Sequence, residues 1–170
     1  MTNLKNFIID VPNFPKDGVV FKDISPLLES PKAFSFTIDL MAESCQDMQI
    51  DMIAGFDARG FIFGPSLAQK MKKPFTMIRK AGKLPGSTVQ ESYDLEYGSA
   101  IIEMQIPNTR DKKILLLDDV LATGGTASAG EKLVKKTGNH VAGFCFLLEL
   151  SSLKGKKLLD SKNIFSLLSY

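Results

Sequence analysis

The sequence predicts an α/β protein with a mostly parallel central sheet flanked by helices. Short apolar runs alternate along the chain with stretches whose apolar residues recur at helical spacing. One run, residues 113–117, is almost continuously apolar, as expected for a strand covered on both faces of a parallel sheet. Two of the runs end in polar or small residues that lead directly into a helical segment, the strand–turn–helix order of such sheets.

The composition is that of one ordinary domain. The chain has 170 residues and is 44% hydrophobic, which is enough for a single core. The net charge of +2, without a long basic run, gives no sign of a nucleic-acid partner, and no apolar run approaches the roughly 18 residues of a membrane span. Cys45 and Cys145 lack metal or disulfide spacing and are predicted to be buried free thiols. We therefore expect a single cytoplasmic domain over residues 1–170 that binds neither nucleic acid nor membrane.

The first thirty residues predict an ordered arm, because prolines and a glycine interrupt their apolar residues too often for a long helix or a central strand. Ser30 and Pro31 then supply an N-cap and a first-turn proline. The apolar spacing that follows predicts an amphipathic helix ending near Gln49.

Two strands and a helix are predicted next. Residues 50–56 form an apolar run, and residues 61–71 have helical spacing, so that Pro65 would fall in an early turn or cause a kink. Residues 74–78 repeat the strand pattern. The basic residues 79–86 contain glycines and a proline, which predict a flexible loop without regular structure.

The second half predicts a hairpin and then further strands around one helix. Residues 99–106 alternate, with Glu103 on the polar face and Ile106 on the apolar face, so that an antiparallel hairpin turning near Gly98 is expected. The remaining elements are a helix at residues 125–136 and strands at residues 113–117, 141–148 and 164–168.

The strongest functional pattern is the strand that ends in Asp118 and Asp119 and leads through a small-residue loop into a helix. Such a loop lets backbone amides approach a phosphate, and the helix N-terminus adds N–H donors and partial positive charge. The two carboxylates would stand at the carboxyl end of the strand and accept hydrogen bonds from vicinal ribose hydroxyls. The pattern predicts a ribose 5-phosphate site, although a capped turn with a solvated acid pair has the same residues. The predicted phosphate-binding residues are Ala122, Thr123, Gly124, Gly125 and Thr126.

Residues 116–126 resemble the phosphoribosyl pyrophosphate (PRPP) motif of type I phosphoribosyltransferases. Further segments resemble the adenine phosphoribosyltransferases in the same order, so the resemblance covers nearly the whole chain. These segments are residues 13–26, 57–61, 79–86, 93–98 and 149–155. The resemblance implies transfer of the 5-phosphoribosyl group of PRPP to adenine, giving AMP and pyrophosphate in purine salvage. It also implies a homodimer, and Mg²⁺ held by the pyrophosphate and ribose hydroxyls without a direct protein ligand.

The resemblance implies roles at the pyrophosphate. Asp57, Ala58 and Arg59 would form the turn that binds it, and Arg79, Lys80 and Lys83 would fold over it. Many relatives have Ser at position 58, but the backbone donors of the turn do not depend on that side chain. Arg59 and Lys83 would stabilise the leaving group, and a loop that contains glycines would open to release the product.

The resemblance also implies roles at the base. Residues 1–30 would form a hood in which Phe21 stacks on adenine and the backbone of Val20 and Lys22 reads its Watson–Crick edge. Many relatives have Arg at position 22, a change that a backbone contact tolerates. Glu96 would act as general acid or base near N7 of adenine.

Three alternatives are less well supported by the residues. Enzymes for 6-oxopurines usually have Asp where Ala122 stands and Lys where Gly125 stands. PRPP-sensing regulators bind DNA through a separate N-terminal domain, for which the residues before Asn13 leave no room. A purely structural α/β module would not need the hood, the basic loop and the acid pair together.

Overall fold

The computed structural model describes residues 3–94 and 98–170. The chain divides into two compact units, one that ends at Leu40 and one that runs from Met41 to Tyr170. Within the described part of the chain, no helix is both long and apolar enough to cross a bilayer.

The first unit contains a two-stranded antiparallel sheet and short helical segments. Strand β1 (Ile9–Pro12) pairs with β2 (Val20–Asp23), in a register that sets Pro12 opposite Val20. Helix α1 (Ser25–Glu29) has one turn, and α2 (Pro31–Ser44) begins in this unit and continues into the next. The hydroxyl of Ser30 accepts a hydrogen bond from the amide of Ala33 at 3.2 Å, which confirms the predicted N-cap.

The second unit is built on a seven-stranded sheet with the strand order β5-β6-β4-β3-β7-β8-β9. The five strands β4, β3, β7, β8 and β9 are parallel to one another, while β6 is antiparallel to both β4 and β5. This confirms the predicted mostly parallel α/β fold. The strands are β3 (Met52–Phe56), β4 (Phe75–Lys80), β5 (Thr88–Asp94), β6 (Ser99–Gln105), β7 (Lys113–Leu121), β8 (His140–Glu149) and β9 (Ile164–Ser169). The helices that cover it are α3 (Gly60–Met71) and α4 (Gly125–Lys136).

Helix α4 packs tightly on one face of this sheet. A Cβ at Gly130 would overlap the ring of Phe56, so the absence of a side chain lets the helix approach the strand. Beneath it, the stacked rings of Phe144 and Phe146 have centroids 5.9 Å apart. Each fully buried side chain of this size contributes about 1.5–3 kcal/mol through the hydrophobic effect. The cysteines Cys45 and Cys145 are buried and free, as predicted.

Two boundaries differ from the sequence predictions. Helix α2 ends at Ser44 instead of Gln49. In the turns that follow, N–H groups bond to the carbonyl three residues earlier instead of four, as Met48 N–H does to the Cys45 carbonyl. Pro65 lies in the second turn of α3, a position that the prediction allowed. Ile106 was expected on the buried face of a strand, but it follows the end of β6 and is exposed.

The basic segment was predicted to be irregular throughout, and this was wrong for its first two residues. Arg79 and Lys80 complete β4, because they pair with Glu103 and Ile102 of β6 and so extend the ladder. The irregular part is residues 81–87, which we call the basic loop.

Candidate active site at the carboxyl ends of the strands

The predicted site residues of the second unit lie on neighbouring elements. Strands β4, β3 and β7 are adjacent in the sheet and parallel, so their carboxyl ends lie side by side. The turn at residues 57–59 follows β3. The loop at residues 122–124 joins β7 to α4, and we call it the phosphate loop after its predicted role. Ligands of open α/β sheets bind at this edge.

The loop after β7 has the geometry of an anion site. Gly124 has φ of +87°, a conformation that glycine adopts without strain, and α4 begins at Gly125. The first amides of a helix have no partner within it and are available to a ligand. Residues 120–127 line a cavity of about 80 Å³ together with Phe56, Asp118 and Phe146. The structure thus brings all five predicted phosphate-binding residues around one small cavity.

Gly155 supports this loop from behind. A Cβ on Gly124 would lie 3.0 Å from the carbonyl carbon of Gly155 and 3.1 Å from its Cα, and would overlap the carbonyl oxygen. A Cβ on Gly155 would in turn lie 2.9 Å from the amide nitrogen of Gly124. The two glycines therefore place one backbone directly on the other. Gly155 is the last residue of the family segment at residues 149–155, but no pattern in the sequence indicates that it contacts the site.

The acid pair lies within β7 and not beyond its end, because β8 continues the ladder as far as Leu121 opposite Glu149. Asp118 lines the cavity of the phosphate loop, while Oδ2 of Asp119 lies 2.8 Å from Nε of Arg59. Oδ1 of Asp118 also accepts the amide of Asp119 at 2.9 Å. The two carboxylates also interact with each other, and both are influenced by the charge of Arg59.

Burial, together with the charge of Asp119, raises the pKa of Asp118 well above its ordinary value. Burial also raises the pKa of Asp119, but there the Arg59 guanidinium acts in the opposite direction. Both acids are thus held in an environment that disfavours their charge. Such displaced pKa values are typical of functional sites.

The turn at residues 57–59 is packed directly on β7. A Cβ at Gly60, the first residue of α3, would lie 2.8 Å from the carbonyl oxygen of Leu117. The peptide bond between Asp57 and Ala58 is cis. Nε of Arg79 lies 2.9 Å from Oδ2 of Asp57, so an ion pair joins the turn to β4.

The predicted pyrophosphate cations do not all lie on one face. Arg79 lies on the face of α3, where its guanidinium carbon is 5.9 Å from the centroid of the Phe61 ring. Lys80, the next residue of β4, points to the other face and is exposed. Lys83 lies in the basic loop, and its carbonyl accepts a hydrogen bond from Arg79 at 3.3 Å.

The predicted base-binding residues lie on β2 in the first unit. In a two-stranded sheet, alternate residues turn their backbone N–H and C=O groups to the same edge, so Val20 and Lys22 present theirs together. The half-buried ring of Phe21 contacts the edge of Phe14, with centroids 5.2 Å apart. The ammonium of Lys22 pairs with Asp10 at 2.6 Å, which leaves backbone recognition as its predicted role.

Glu96, the predicted acid or base, lies outside the described residues. The hairpin that contains it is confirmed by the pairing of β5 with β6, from Thr88 opposite Gln105 to Asp94 opposite Ser99. The carbonyl oxygen of Asp94 lies 3.6 Å from the position of a Cβ on Gly125. The described end of the hairpin therefore borders the phosphate loop.

Glu103 is a charged residue beside the site whose place the sequence did not indicate. Glu103 was predicted to lie on the polar face of its strand, but it is only 2% exposed because the basic loop folds over it. In the sequence, Glu103 is a single carboxylate between two apolar residues. This pattern is common in half-exposed strands and does not predict a buried carboxylate beside a site.

Known proteins resemble this chain over nearly its whole length. Residues 23–168 match the family model for the phosphoribosyl transferase domain. The adenine phosphoribosyltransferase of Maridesulfovibrio salexigens is 51% identical over 167 residues, which are 98% of each chain. The crystal structure of the Thermoanaerobacter pseudethanolicus enzyme superposes with a TM-score of 0.95 at 41% identity, covering 98% of each chain. The Saccharomyces cerevisiae enzyme, solved with an iminoaltritol bisphosphate and adenine, gives 0.91 at 37% identity, covering 97% of this chain and 96% of that one. The chain belongs to the phosphoribosyltransferase family, among its adenine phosphoribosyltransferases.

Proposed function

We propose that the residues gathered at the carboxyl ends of β3, β4 and β7 transfer the 5-phosphoribosyl group of PRPP to adenine, giving AMP and pyrophosphate. The observation that carries this proposal is that the acid pair of β7 lies beside the small cavity lined by residues 122–126, whose backbone is held by the contact of Gly124 with Gly155. Donors for a 5′-phosphate and acceptors for ribose hydroxyls thereby lie within one small region.

Each part of PRPP then has a partner of suitable chemistry. The amides and hydroxyls of residues 122–126 hold the 5′-phosphate, and Asp118 and Asp119 accept from the ribose hydroxyls. Arg59, Arg79 and Lys83 bind the pyrophosphate, together with the backbone of Asp57 and Ala58, and Lys80 acts from the other face of β4. When the bond from C1′ to the pyrophosphate oxygen breaks, these cations stabilise the leaving anion. As the bond from C1′ to N9 of adenine forms, the base loses its imidazole proton, which Glu96 accepts at the N7 side and returns in the reverse reaction.

Magnesium fits this arrangement as an ion that arrives with PRPP. Hard divalent cations prefer oxygen ligands, which the phosphates and hydroxyls of PRPP provide. The protein side of the ribose position is also an oxygen-only donor set, the carboxylates of Asp118 and Asp119. When bound, Mg²⁺ neutralises part of the pyrophosphate charge.

The choice of base is tested directly by incubating the protein with PRPP, Mg²⁺ and one purine at a time. We expect pyrophosphate release with adenine. Ala122 and Gly125 lack the Asp and Lys of 6-oxopurine enzymes, and the yeast relative was solved with adenine. Release with hypoxanthine or guanine but not with adenine would overturn the assignment.

Substitution of Glu96 by Gln is expected to lower kcat by about 10²–10⁴-fold, the usual contribution of general acid–base catalysis. PRPP affinity should change much less, because the proposed role of Glu96 is at the base. Steady-state kinetics with a separate binding measurement distinguishes the two effects. A wild-type rate would exclude Glu96 as the acid or base.

Substitution of Phe21 by Ala is expected to raise the KM for adenine about tenfold, because loss of an aromatic stacking contact costs roughly 1–3 kcal/mol. The KM for PRPP serves as the internal reference and should stay near the wild-type value. This measurement also tests whether residues 1–30 act as a hood and thus whether residues 1–170 work as one catalytic domain. Equal adenine KM values in a folded variant would remove Phe21 from the base site.

We also propose that the enzyme works as a cytoplasmic homodimer. Two exposed apolar residues lie close in the chain to the edge-to-face pair of Phe61 and Phe75, Ile62 next to Phe61 and Met77 two residues after Phe75, and such apolar surface suits a second copy. The free buried cysteines suit a reducing compartment. Sedimentation of the wild type and of Met77→Lys tests the assembly, because the added charge should shift a dimer towards monomer.

A further inference from the structure

Glu103 is a buried carboxylate to which none of the roles above has been assigned. It lies in the middle of β6, where the register places Arg79 of β4 on one side and Gln90 of β5 on the other. Its residue surface is only 2% exposed. A carboxylate at such a position persists only when its oxygens have hydrogen-bond donors.

The donors that bind Glu103 come from the basic loop and from strand β5, which follows it. Oε1 accepts the backbone amides of Lys83 and Leu84, both at 2.8 Å. Oε2 accepts the hydroxyl of Thr88 at 3.3 Å and the side-chain amide of Gln90 at 3.2 Å. An ionised carboxylate has about four acceptor positions, so these contacts use its capacity fully.

Burial acts to raise the pKa of Glu103, but the backbone amides of Leu84, Lys83 and Gly82 outweigh it and hold the pKa below its ordinary value. The group is therefore a carboxylate at neutral pH. Backbone amides of the basic loop thus surround a fixed negative charge.

The peptide groups on both sides of the Lys83 Cα are thereby held. Its N–H is bound by Glu103, and its carbonyl accepts the guanidinium of Arg79 at 3.3 Å. Arg79 is itself tied to Asp57 at 2.9 Å. Hydrogen bonds thus connect the turn at residues 57–59, through Arg79 and Lys83, to Glu103.

We propose that Glu103 is a positioning residue that fixes the basic loop, so that Lys83 is directed at the pyrophosphate group of PRPP. This inference rests on the proposed role of Lys83 in binding pyrophosphate. Glu103 acts through Lys83 and Leu84 and touches no substrate. A carboxylate suits this task because two amides converge on one of its oxygens while two further donors meet the other.

Glu103→Gln tests the proposal, because it keeps the size of the side chain but gives one end of the group donors instead of acceptors. PRPP affinity should fall by between about tenfold and a hundredfold, the range expected when a binding group is misplaced by a fraction of an ångström. AMP, which has no pyrophosphate, should bind within about twofold of wild type. Calorimetry with PRPP and with AMP measures both, and intact AMP binding shows that the variant is folded.

Glu91→Gln is the matched control. Glu91 is a carboxylate on the neighbouring strand β5, but it binds Lys132 and Lys136 of α4, at 3.4 and 2.6 Å, and not the basic loop. General damage to the hairpin should affect this variant as well, so its PRPP affinity should remain that of wild type. A second variant, Glu103→Asp, keeps the charge but is shorter, and should show the same selective loss of PRPP affinity.

Lys83→Ala separates the inference from the function on which it rests. If Lys83→Ala leaves PRPP affinity unchanged, the proposed role of Lys83 is wrong. If Lys83→Ala weakens PRPP binding, then Lys83→Ala with Glu103→Gln should be no weaker than Lys83→Ala alone, because the two residues act in series. Additive losses, an equal loss of AMP affinity, or unchanged PRPP affinity in Glu103→Gln would each overturn the positioning role.

Discussion

The variant Asp118→Asn with Asp119→Asn is expected to lose PRPP affinity by roughly a hundredfold or more. Each hydrogen bond to a charged acceptor contributes about 1.5–3 kcal/mol, and the double variant replaces both carboxylates of the ribose position. Asparagine keeps the shape of the side chain and one oxygen, so the bond from the Asp119 amide to the residue at position 118 can be retained. Calorimetric titration with PRPP and Mg²⁺ measures the loss, and unchanged binding would refute the ribose assignment.

The single variant Asp118→Asn should at the same time make the folded protein more stable at neutral pH. Burial and the charge of Asp119 raise the pKa of Asp118, so its ionisation costs stability once the pH exceeds the unfolded value, about 3.9. Below that pH both states are protonated and the variant has no advantage. Its gain in Tm should therefore be absent at pH 3.5 and grow as the pH rises through the raised native pKa. A gain that did not depend on pH would show that ionisation of Asp118 is not its cause.

The variant Gly124→Ala is expected to disable the phosphate loop. A left-handed conformation costs a residue with a Cβ about 1–2 kcal/mol, and the added carbon would also overlap the backbone of Gly155. The loop can relieve that overlap only by moving, so we expect kcat/KM for PRPP to fall about a hundredfold or more. Kinetics and thermal unfolding measure the two consequences separately.

Gly138→Ala provides the comparison for this variant. Gly138 also has a positive φ, +75°, but a Cβ there would meet only the side chain of Arg110, at an ordinary distance of 3.6 Å. It should lose about 1–2 kcal/mol of stability with no change in PRPP kinetics. Equal kinetic effects in the two glycine variants would contradict the role of the contact between Gly124 and Gly155.

The elements whose signals are local were predictable from the sequence. The apolar run at residues 113–117, the small residues that lead into α4 and the alternation at residues 99–106 each depend on neighbours in the chain, and the structure confirms the strand β7, the helix and the strand β6 that they predict. The extent of strands was not predictable in this way. Arg79 and Lys80 belong to β4, and the acid pair belongs to β7, because partner strands continue beside them.

Contacts across long sequence separations decide the rest of the site. The burial of Glu103 depends on a loop some twenty residues away, and the closeness of Gly155 to Gly124 depends on the path of the chain after β8. The cross-strand pairing of Asp57 with Arg79 is likewise a property of the assembled sheet. Family resemblance supplied the identity of adenine, which the phosphate loop alone does not specify.

The ion pairs of Arg59 with Asp119 and of Arg79 with Asp57 bear on how the enzyme tells its substrate from a simple anion. These four groups carry two positive and two negative charges, so together they exert little attraction at a distance. An inorganic phosphate ion can bind one of these arginines only by displacing the carboxylate that is paired with it. That carboxylate is then left without its counterion. PRPP brings hydroxyls for a carboxylate and phosphates for the arginines in one molecule. With the residue roles proposed above, PRPP replaces both partners of such an ion pair, whereas a lone anion replaces only the partner of the arginine.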